Sequence, residues 1–536
     1  MTTNTSSLNG TGLIVNGRPF TIVGAEIHNS ASSTISSIRR SFKRVADLGA
    51  NTVLAPVAWC QLEPKEGDFD FTLIDTMLAE AESTHLKLIP LWFGSWKNAT
   101  SSYVPGWVKR DSARFPRARV GEGRTTEHLS PFSEEARSAD ATAFRTLMKH
   151  LHHNDEAGTV IMVQVENEVG LLADSRDRSK HAAAAWAEPV PEEFLQALAS
   201  NDGSPATLAW SAEGRRKHGT WQELLGSSPA SEEAFMAWSY ASYIEHVAAA
   251  GKTEHDVPLY ANVWLDDPLE LDMPDAPDLS LAGGMKPGDY PSGGPVPGVL
   301  PLWRAAAPSI NLIAPDFYFG DFTRTMETYS EASGGRLFIP EMRRSATGVA
   351  QMFLALGEHR AIGVSPFGVD SLREDEQAWS TLADAYSLLN IVATARCELP
   401  QAPSRGFVLS EAEPEKTLTV GSTTVTLKAI DSFRQLPAFP SYGVLLEEEP
   451  GTILVVGRGF TVSFPDDGVI TTGIERASEL AVDATGLIIV NELNGDETIS
   501  GTAVRLHSLD ATSPGVFPIP IISTSTGAVR ITTYTY

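Results

Sequence analysis

Residues 22–55 read IVGAEIHNSASSTISSIRRSFKRVADLGANTVLA. The run 22–25 is short and apolar, Ile38, Phe42, Val45 and Leu48 then recur at helical spacing, and a second apolar run follows at 52–55. Strand, amphipathic helix and strand in that order make one parallel βαβ unit. The pattern repeats down the chain. Further strands are predicted at 86–92, 160–165, 258–263, 311–315, 336–339 and 361–365. Helices between them are marked by Leu73, Ile74, Met77 and Leu78, by Phe144, Leu147, Met148 and Leu151, and by Met352, Phe353 and Leu356; Trp379, Leu382, Leu388 and Leu389 mark the last. Eight such units with right-handed crossovers are the count that closes a barrel, so an α/β fold of the (β/α)8 TIM type is expected over residues 1–394.

Two excursions interrupt the alternation, from Gly170 to about 230 and, rich in Pro and Gly, from Asp267 to about 307. Both follow the C-terminal end of a strand, where barrel loops either shape a substrate pocket or stand as tolerated surface insertions. After residue 394 the helical period disappears. Thr417-Leu418-Thr419-Val420, Ile453-Leu454-Val455-Val456 and Leu487-Ile488-Ile489-Val490 are β-branched runs between turns, which predicts an antiparallel, sandwich-like β-domain over 395–536. Such a domain buttresses a barrel, forms an oligomer interface or binds carbohydrate.

A formal charge of −26 repels phosphates and anionic lipid, so neither nucleic acid nor a membrane surface is an expected partner. A neutral sugar meets no such barrier. The N-terminus carries no basic segment followed by an apolar one, which predicts a cytoplasmic protein. Cys60 and Cys397 stand in no redox or metal spacing and are expected as two reduced thiols. His150, His152 and His153 lack acidic or Cys partners at ligand spacing, and a helix C-terminus accounts for them. Gly457-Arg458-Gly459 lacks the rest of a dinucleotide fingerprint, and neither a P-loop nor a GxSxG elbow occurs. No cofactor is expected.

The chemistry is concentrated at two strand ends. Ile161-Met162-Val163-Gln164-Val165-Glu166-Asn167-Glu168 is an apolar strand that stops in two carboxylates and an amide. A lone Asn-Glu pair is an ordinary loop start. Arg336-Leu337-Phe338-Ile339-Pro340-Glu341 changes that reading, because it puts another carboxylate at the end of the seventh strand, across the barrel from the fourth. Two carboxyls so placed approach to about 5–5.5 Å, the separation at which one attacks an anomeric carbon and the other protonates the leaving oxygen. Trp59, Trp96 and Trp264 all fall near strand ends, where an indole either packs in the core or stacks on a pyranose; the three together point to at least one sugar contact.

Val165-Glu166-Asn167-Glu168 with Ile339-Pro340-Glu341 resembles the barrel glycosidases whose two glutamates lie on strands four and seven. Within them the chain is similar to glycoside hydrolase family 35, the β-galactosidase family. Gly24-Ala25-Glu26-Ile27-His28 resembles that family's first-strand motif, Leu62 to Phe71 its segment after strand two, and Gln164 to Glu168 its acid/base motif. The resemblance covers roughly residues 10–390. It implies a retaining exo-glycosidase acting on terminal β-galactosyl residues of oligosaccharides or glycosides. Glu168 is then acid/base, Glu341 nucleophile, Asn167 a ligand of the 2-hydroxyl and Glu26 a ligand of other hydroxyls. Tyr318 is a hydrogen-bond partner of the nucleophile or a rim aromatic, and Trp96 and Trp264 are candidate sugar contacts. The third-strand end departs from the family's common form, reading Leu91-Trp92-Phe93-Gly94-Ser95-Trp96-Lys97-Asn98, as in a bacterial subgroup with a distinct C-terminal β-domain. That departure leaves open another sugar such as an arabinopyranoside, and endo action in an open cleft. A carbohydrate-binding barrel without activity is disfavoured, since both glutamates are present.

Overall fold

The computed structural model describes residues 6–266, 286–430, 439–465, 471–508 and 524–536. Eight strands form its main sheet: β1 (Ile22–Glu26), β2 (Thr52–Ala58), β3 (Lys87–Lys97), β4 (Val163–Asn167), β5 (Leu259–Trp264), β6 (Leu312–Asp316), β7 (Phe338–Met342) and β8 (Gly363–Pro366). Their order is β6-β5-β4-β3-β2-β1-β8-β7, with parallel pairing. The two ends of that order meet where the Phe317 N–H donates to the Glu341 carbonyl at 2.9 Å, closing a TIM barrel. Every residue of β1, β2, β4, β6 and β7 is buried, which is why these strands read as continuous apolar runs rather than alternating ones.

The helices follow from their faces and caps. Helix Ile35–Asp47 buries Ile38, Phe42 and Val45 and exposes Arg39, Arg40 and Lys43. Helix Glu134–Asn154 starts at Ser133, whose hydroxyl accepts from the Ala136 N–H at 3.1 Å; acidic residues fill its first turn and His152 and His153 its last, as the helix dipole favours. Helix Pro229–Lys252 is largely buried and packs against it.

The first excursion folds into short helices, Lys180–Trp186, Glu192–Ala199, Pro205–Ala212 and Trp221–Leu225. Trp186, Phe194 and Trp221 pack there against Phe235 and one another. Arg178 ties the base of the excursion down through Asp174 at 2.6 Å and Glu232 at 2.6 Å. The second excursion lies outside the described residues from 267 to 285; its remainder meets the first where Leu171 and Ser292 exchange backbone hydrogen bonds of 2.9 Å. Sequence reading omitted a three-stranded sheet of Ser6–Asn9, Gly12–Val15 and Arg18–Phe20, whose strands are too short to show a period.

Contacts divide the chain into two compact units, 1–11 with 26–46 and 52–341, and 12–25 with 47–51 and 342–536. Within the second, six strands (Ser404–Leu409, Ser441–Glu449, Thr452–Arg458, Thr472–Asp483, Gly486–Leu493, Ala528–Thr535) form one antiparallel sheet, and four (Glu415–Val420, Thr423–Ala429, Phe460–Ser463, Ala503–Leu506) another. Phe407, Leu445, Val455 and Ile531 from one sheet and Val425, Leu427, Phe460 and Val504 from the other share one core. Each such side chain contributes about 1.5–3 kcal/mol by leaving water. Helix Ala346–Gly357 approaches strand Ser404–Leu409 so closely that a β-carbon at Gly357 would lie 2.6 Å from the Gly406 Cα. Among the described residues no helix is long and apolar enough to cross a membrane, no cluster could hold a metal ion, and Cys60 and Cys397 are free thiols.

Candidate active site

The strand ends converge on one group of buried polar side chains, all in the first unit. Glu26 ends β1, Lys97 ends β3, Asn167 and Glu168 end and follow β4, Asp316 ends β6 and Glu341 lies one residue before the end of β7. Tyr318, just beyond β6, donates its hydroxyl to Glu341 Oε2 at 2.9 Å. Asn262 on β5 links two members, accepting from the Glu168 N–H at 2.9 Å and donating to Asp316 Oδ2 at 2.6 Å. The backbone at Glu168 is left-handed, with φ of 44°, a conformation that costs a non-glycine residue of order 1–3 kcal/mol and persists only when its surroundings hold it. The hydrogen bond to Asn262 and one from the Ala99 N–H to the Glu168 carbonyl, 3.2 Å, supply that hold.

Among the described residues no N–H or alcohol reaches either oxygen of Glu26, Glu341 Oε1 or Asp316 Oδ1, and neither polar atom of the Asn167 amide is paired. Buried polar groups are ordinarily satisfied, so the arrangement fits a ligand that brings several hydroxyls of its own.

Four carboxyls and one ammonium share the site, and their titration separates them. Burial, and then the charge of Glu341, pushes Glu168 up to about 7, while Lys97 and a hydrogen bond with Asp316 pull it back. Glu26 and Asp316 are lifted well above the ordinary carboxylate range, in both cases by burial first and Glu341 second. Burial pulls Lys97 down, but Glu341, Glu168, Glu26 and Asp316 together outweigh it and hold the ammonium above its usual value. A carboxyl that keeps its proton near neutrality thus stands beside another held by a tyrosine hydroxyl, a pairing able to give up a proton and to present an oriented oxygen nucleophile.

Of the residues singled out in the sequence, Glu26, Asn167, Glu168, Tyr318 and Glu341 come together. Trp264 is half-buried at the end of β5, in register with Asp316. Trp96 is not presented as a stacking face. Its ring is fully buried among His128, Tyr240 and Tyr243, and its N–H donates to the Leu129 carbonyl at 3.1 Å. Trp59 is likewise buried, donating to Glu63 at 2.8 Å. Lys97, Asn262, Asp316 and the buried Tyr260 escaped sequence reading, although each stands at or near the end of a predicted strand or in its apolar run.

Lys97 is the group whose removal is expected to disturb the site's charge balance most. Lys97→Met leaves buried carboxyls without their cation, so a stability loss of about 3–5 kcal/mol is expected at pH 7. The deficit should shrink at pH 5, where the carboxyls left behind take up protons. Urea unfolding at the two pH values measures it; an equal deficit at both would remove Lys97 from that role.

Comparison with known proteins places residues 12–238 in the match of glycosyl hydrolases family 35, and residues 382–505 match a domain of unknown function, DUF5597. A β-galactosidase of Xanthomonas manihotis is 27% identical over 177 residues, which are 31% of this chain and 26% of that protein. Among solved structures, the β-galactosidase of the psychrophilic Marinomonas ef1 aligns at a TM-score of 0.48 with 14% identity, covering 71% of this chain and 62% of the other. That of Rahnella sp. R3 aligns at 0.46 with 15% identity, covering 70% and 56%. The chain therefore spans about a quarter of the curated relative and less than two thirds of these structures.

Proposed function

We propose that this chain, whose residues 12–238 match glycosyl hydrolases family 35, removes terminal nonreducing β-D-galactosyl residues from oligosaccharides or glycosides with retention of configuration. The observation that carries this reading is the pairing of Glu341, held at Oε2 by Tyr318, with Glu168, a buried acid that stays protonated to about pH 7. Glu168 gives its proton to the glycosidic oxygen as Glu341 attacks the anomeric carbon. The bond to the leaving group breaks, and the sugar is held as an ester of Glu341. Esterification removes the Glu341 charge, one of the causes that raised Glu168, so the Glu168 value falls and its carboxyl stands ionised, able to take a proton from water, just when water must be deprotonated. Water then attacks the anomeric carbon and Glu341 leaves as the carboxylate. In this scheme the two carboxyls stand about 5–5.5 Å apart. Asn167 binds the 2-hydroxyl, Glu26 accepts from other ring hydroxyls, and Trp264 covers an apolar sugar face. We assign catalysis to residues 1–394 and no chemical step to 395–536.

The test of the sugar is a comparison of aryl β-glycosides. A pocket built to hydrogen-bond an axial 4-hydroxyl leaves its own buried groups unpaired when the epimer enters, so the galactoside should exceed the glucoside in kcat/KM by roughly ten- to a hundredfold. A preference of that size for glucoside or arabinopyranoside would change the sugar and leave the two-glutamate chemistry. Low, equal rates on every aryl glycoside with rapid internal cleavage of a polysaccharide would instead indicate endo action.

A further inference from the structure

Beneath the proposed acid lies a second pair of carboxyls that the reaction does not use. β3 and β4 pair as Trp92 with Val165 and then as Lys97 with Asn167, so Phe93, Gly94, Ser95 and Trp96 all stand opposite Glu166. The surplus backbone turns two N–H groups onto that one side chain: Ser95 donates to Glu166 Oε1 at 3.1 Å and Trp96 to Oε2 at 2.7 Å. Asp140, from helix Glu134–Asn154, enters the same bulge. It accepts from the same Ser95 N–H at 3.2 Å, from Trp92 Nε1 at 2.9 Å and from the Tyr243 hydroxyl at 3.3 Å. Tyr243 and the Ser95 hydroxyl are in turn 2.7 Å apart.

The space is filled. A β-carbon at Gly94 would lie 2.4 Å from Glu166 Oε1 and 2.8 Å from Asp140 Oδ1, so this bulge accepts the two carboxyls only with glycine at that position. Glu166 itself has a left-handed backbone, φ of 62°, two residues before the equally unusual Glu168. Its carbonyl accepts from Gln164 Nε2 at 3.0 Å. Two strained residues in succession around Asn167 require an anchor, and the Glu166 side chain is the group that ties this turn of β4 to the bulge of β3.

We infer that Glu166 and Asp140 form a proton-sharing carboxyl pair that fixes the ends of β3 and β4 together and so positions Glu168 and Lys97 for the reaction. Both carboxyls are buried and accept from the same Ser95 N–H, and two like charges in such a place do not both ionise. Burial, then Asp140, holds Glu166 well above the ordinary carboxylate range, consistent with one proton between them. Neither group touches the proposed substrate position; they act through the backbone on either side. The inference rests on the reading of Glu168 as the acid.

The experiment compares kcat/KM on 2,4-dinitrophenyl β-galactoside, whose leaving group needs no proton, with that on lactose, whose leaving group does. Glu166→Gln preserves the shape and can donate to Asp140 in place of the shared proton, so both substrates should stay within about threefold of the parent. Glu166→Ala releases the turn and should cost lactose about ten- to a hundredfold more than the dinitrophenyl substrate. If circular dichroism finds Glu166→Ala unfolded, Glu166→Asp, which withdraws the carboxyl by one methylene, is read in the same way. Equal losses on both substrates, or a Glu166→Gln as damaged as the alanine variant, overturn the positioning role. Glu168→Ala run alongside separates the two ideas: without a leaving-group difference there, the assignment of Glu168 itself fails; with one there and none for Glu166, only the pair does.

Discussion

Glu341→Ala is expected to lower turnover of aryl β-galactoside by about ten-thousandfold or more, because the group proposed to form the covalent intermediate has gone while the rest of the site remains. Added azide should restore product formation as the α-galactosyl azide, since a small anion fits the space the carboxylate vacates and attacks from the same side. The anomer is the informative part of the result. A general loss of folding gives no azide product, whereas an emptied carboxylate position on the α face does. Tyr318→Phe provides a graded companion, for it removes the hydroxyl on Glu341 Oε2 and leaves the carboxylate in place.

Glu168→Ala should lose about a hundred- to ten-thousandfold on lactose, where proton donation is needed, and about tenfold or less in the first step on dinitrophenyl galactoside. Azide should now yield the β-galactosyl product, by attack on the intermediate from the face that water normally uses. The same residue sets the alkaline limb of the parent enzyme. Glu168 works as an acid only while protonated, and its site pushes it up to about 7, so kcat/KM should fall above about pH 7. Glu341 is the second cause of that elevation, after burial, so neutralising it lowers the Glu168 value. A carbon-13 carboxyl titration of Glu341→Gln should therefore show Glu168 losing its proton at lower pH than in the parent; an unchanged midpoint would mean that burial alone sets it.

Much of the barrel was legible because its strands are buried on both faces and so spell themselves as apolar runs. Each of the eight predicted runs overlaps an observed strand. The errors fall at strand ends, where the proposed site lies. The third predicted run stops at Trp92, whereas the strand continues to Lys97 through a bulge that receives the side chains of Glu166 and Asp140, residues far away in sequence. The bulge turns the Trp96 ring into the core, the packing alternative to the sugar contact expected of it. Glu168 and Glu341 stand out in the sequence because a carboxylate closing an apolar run is conspicuous at short range. Lys97 and Asp316 carry no such local mark: a lysine or aspartate after a strand is ordinary, and their meaning appears only when the barrel brings them to the same carboxylates. Asn262 is harder still, since a single amide in an apolar run gives no sign that it bridges a backbone N–H to a buried acid. The C-terminal sheets were readable as β-structure from β-branched runs, but nothing in those runs specifies which strands share a sheet.

The most direct measurement of the central claim is covalent trapping with 2-deoxy-2-fluoro-β-D-galactosyl fluoride, which forms the glycosyl-enzyme quickly and hydrolyses it slowly because the fluorine destabilises the oxocarbenium-like transition state. Intact mass spectrometry should show one fluorogalactosyl group per chain, and peptide mapping should place it on Glu341. A label on Glu168 or another carboxylate would reassign the nucleophile. No label, together with the α-anomer as the first product of an aryl β-galactoside by proton NMR, would contradict double displacement altogether.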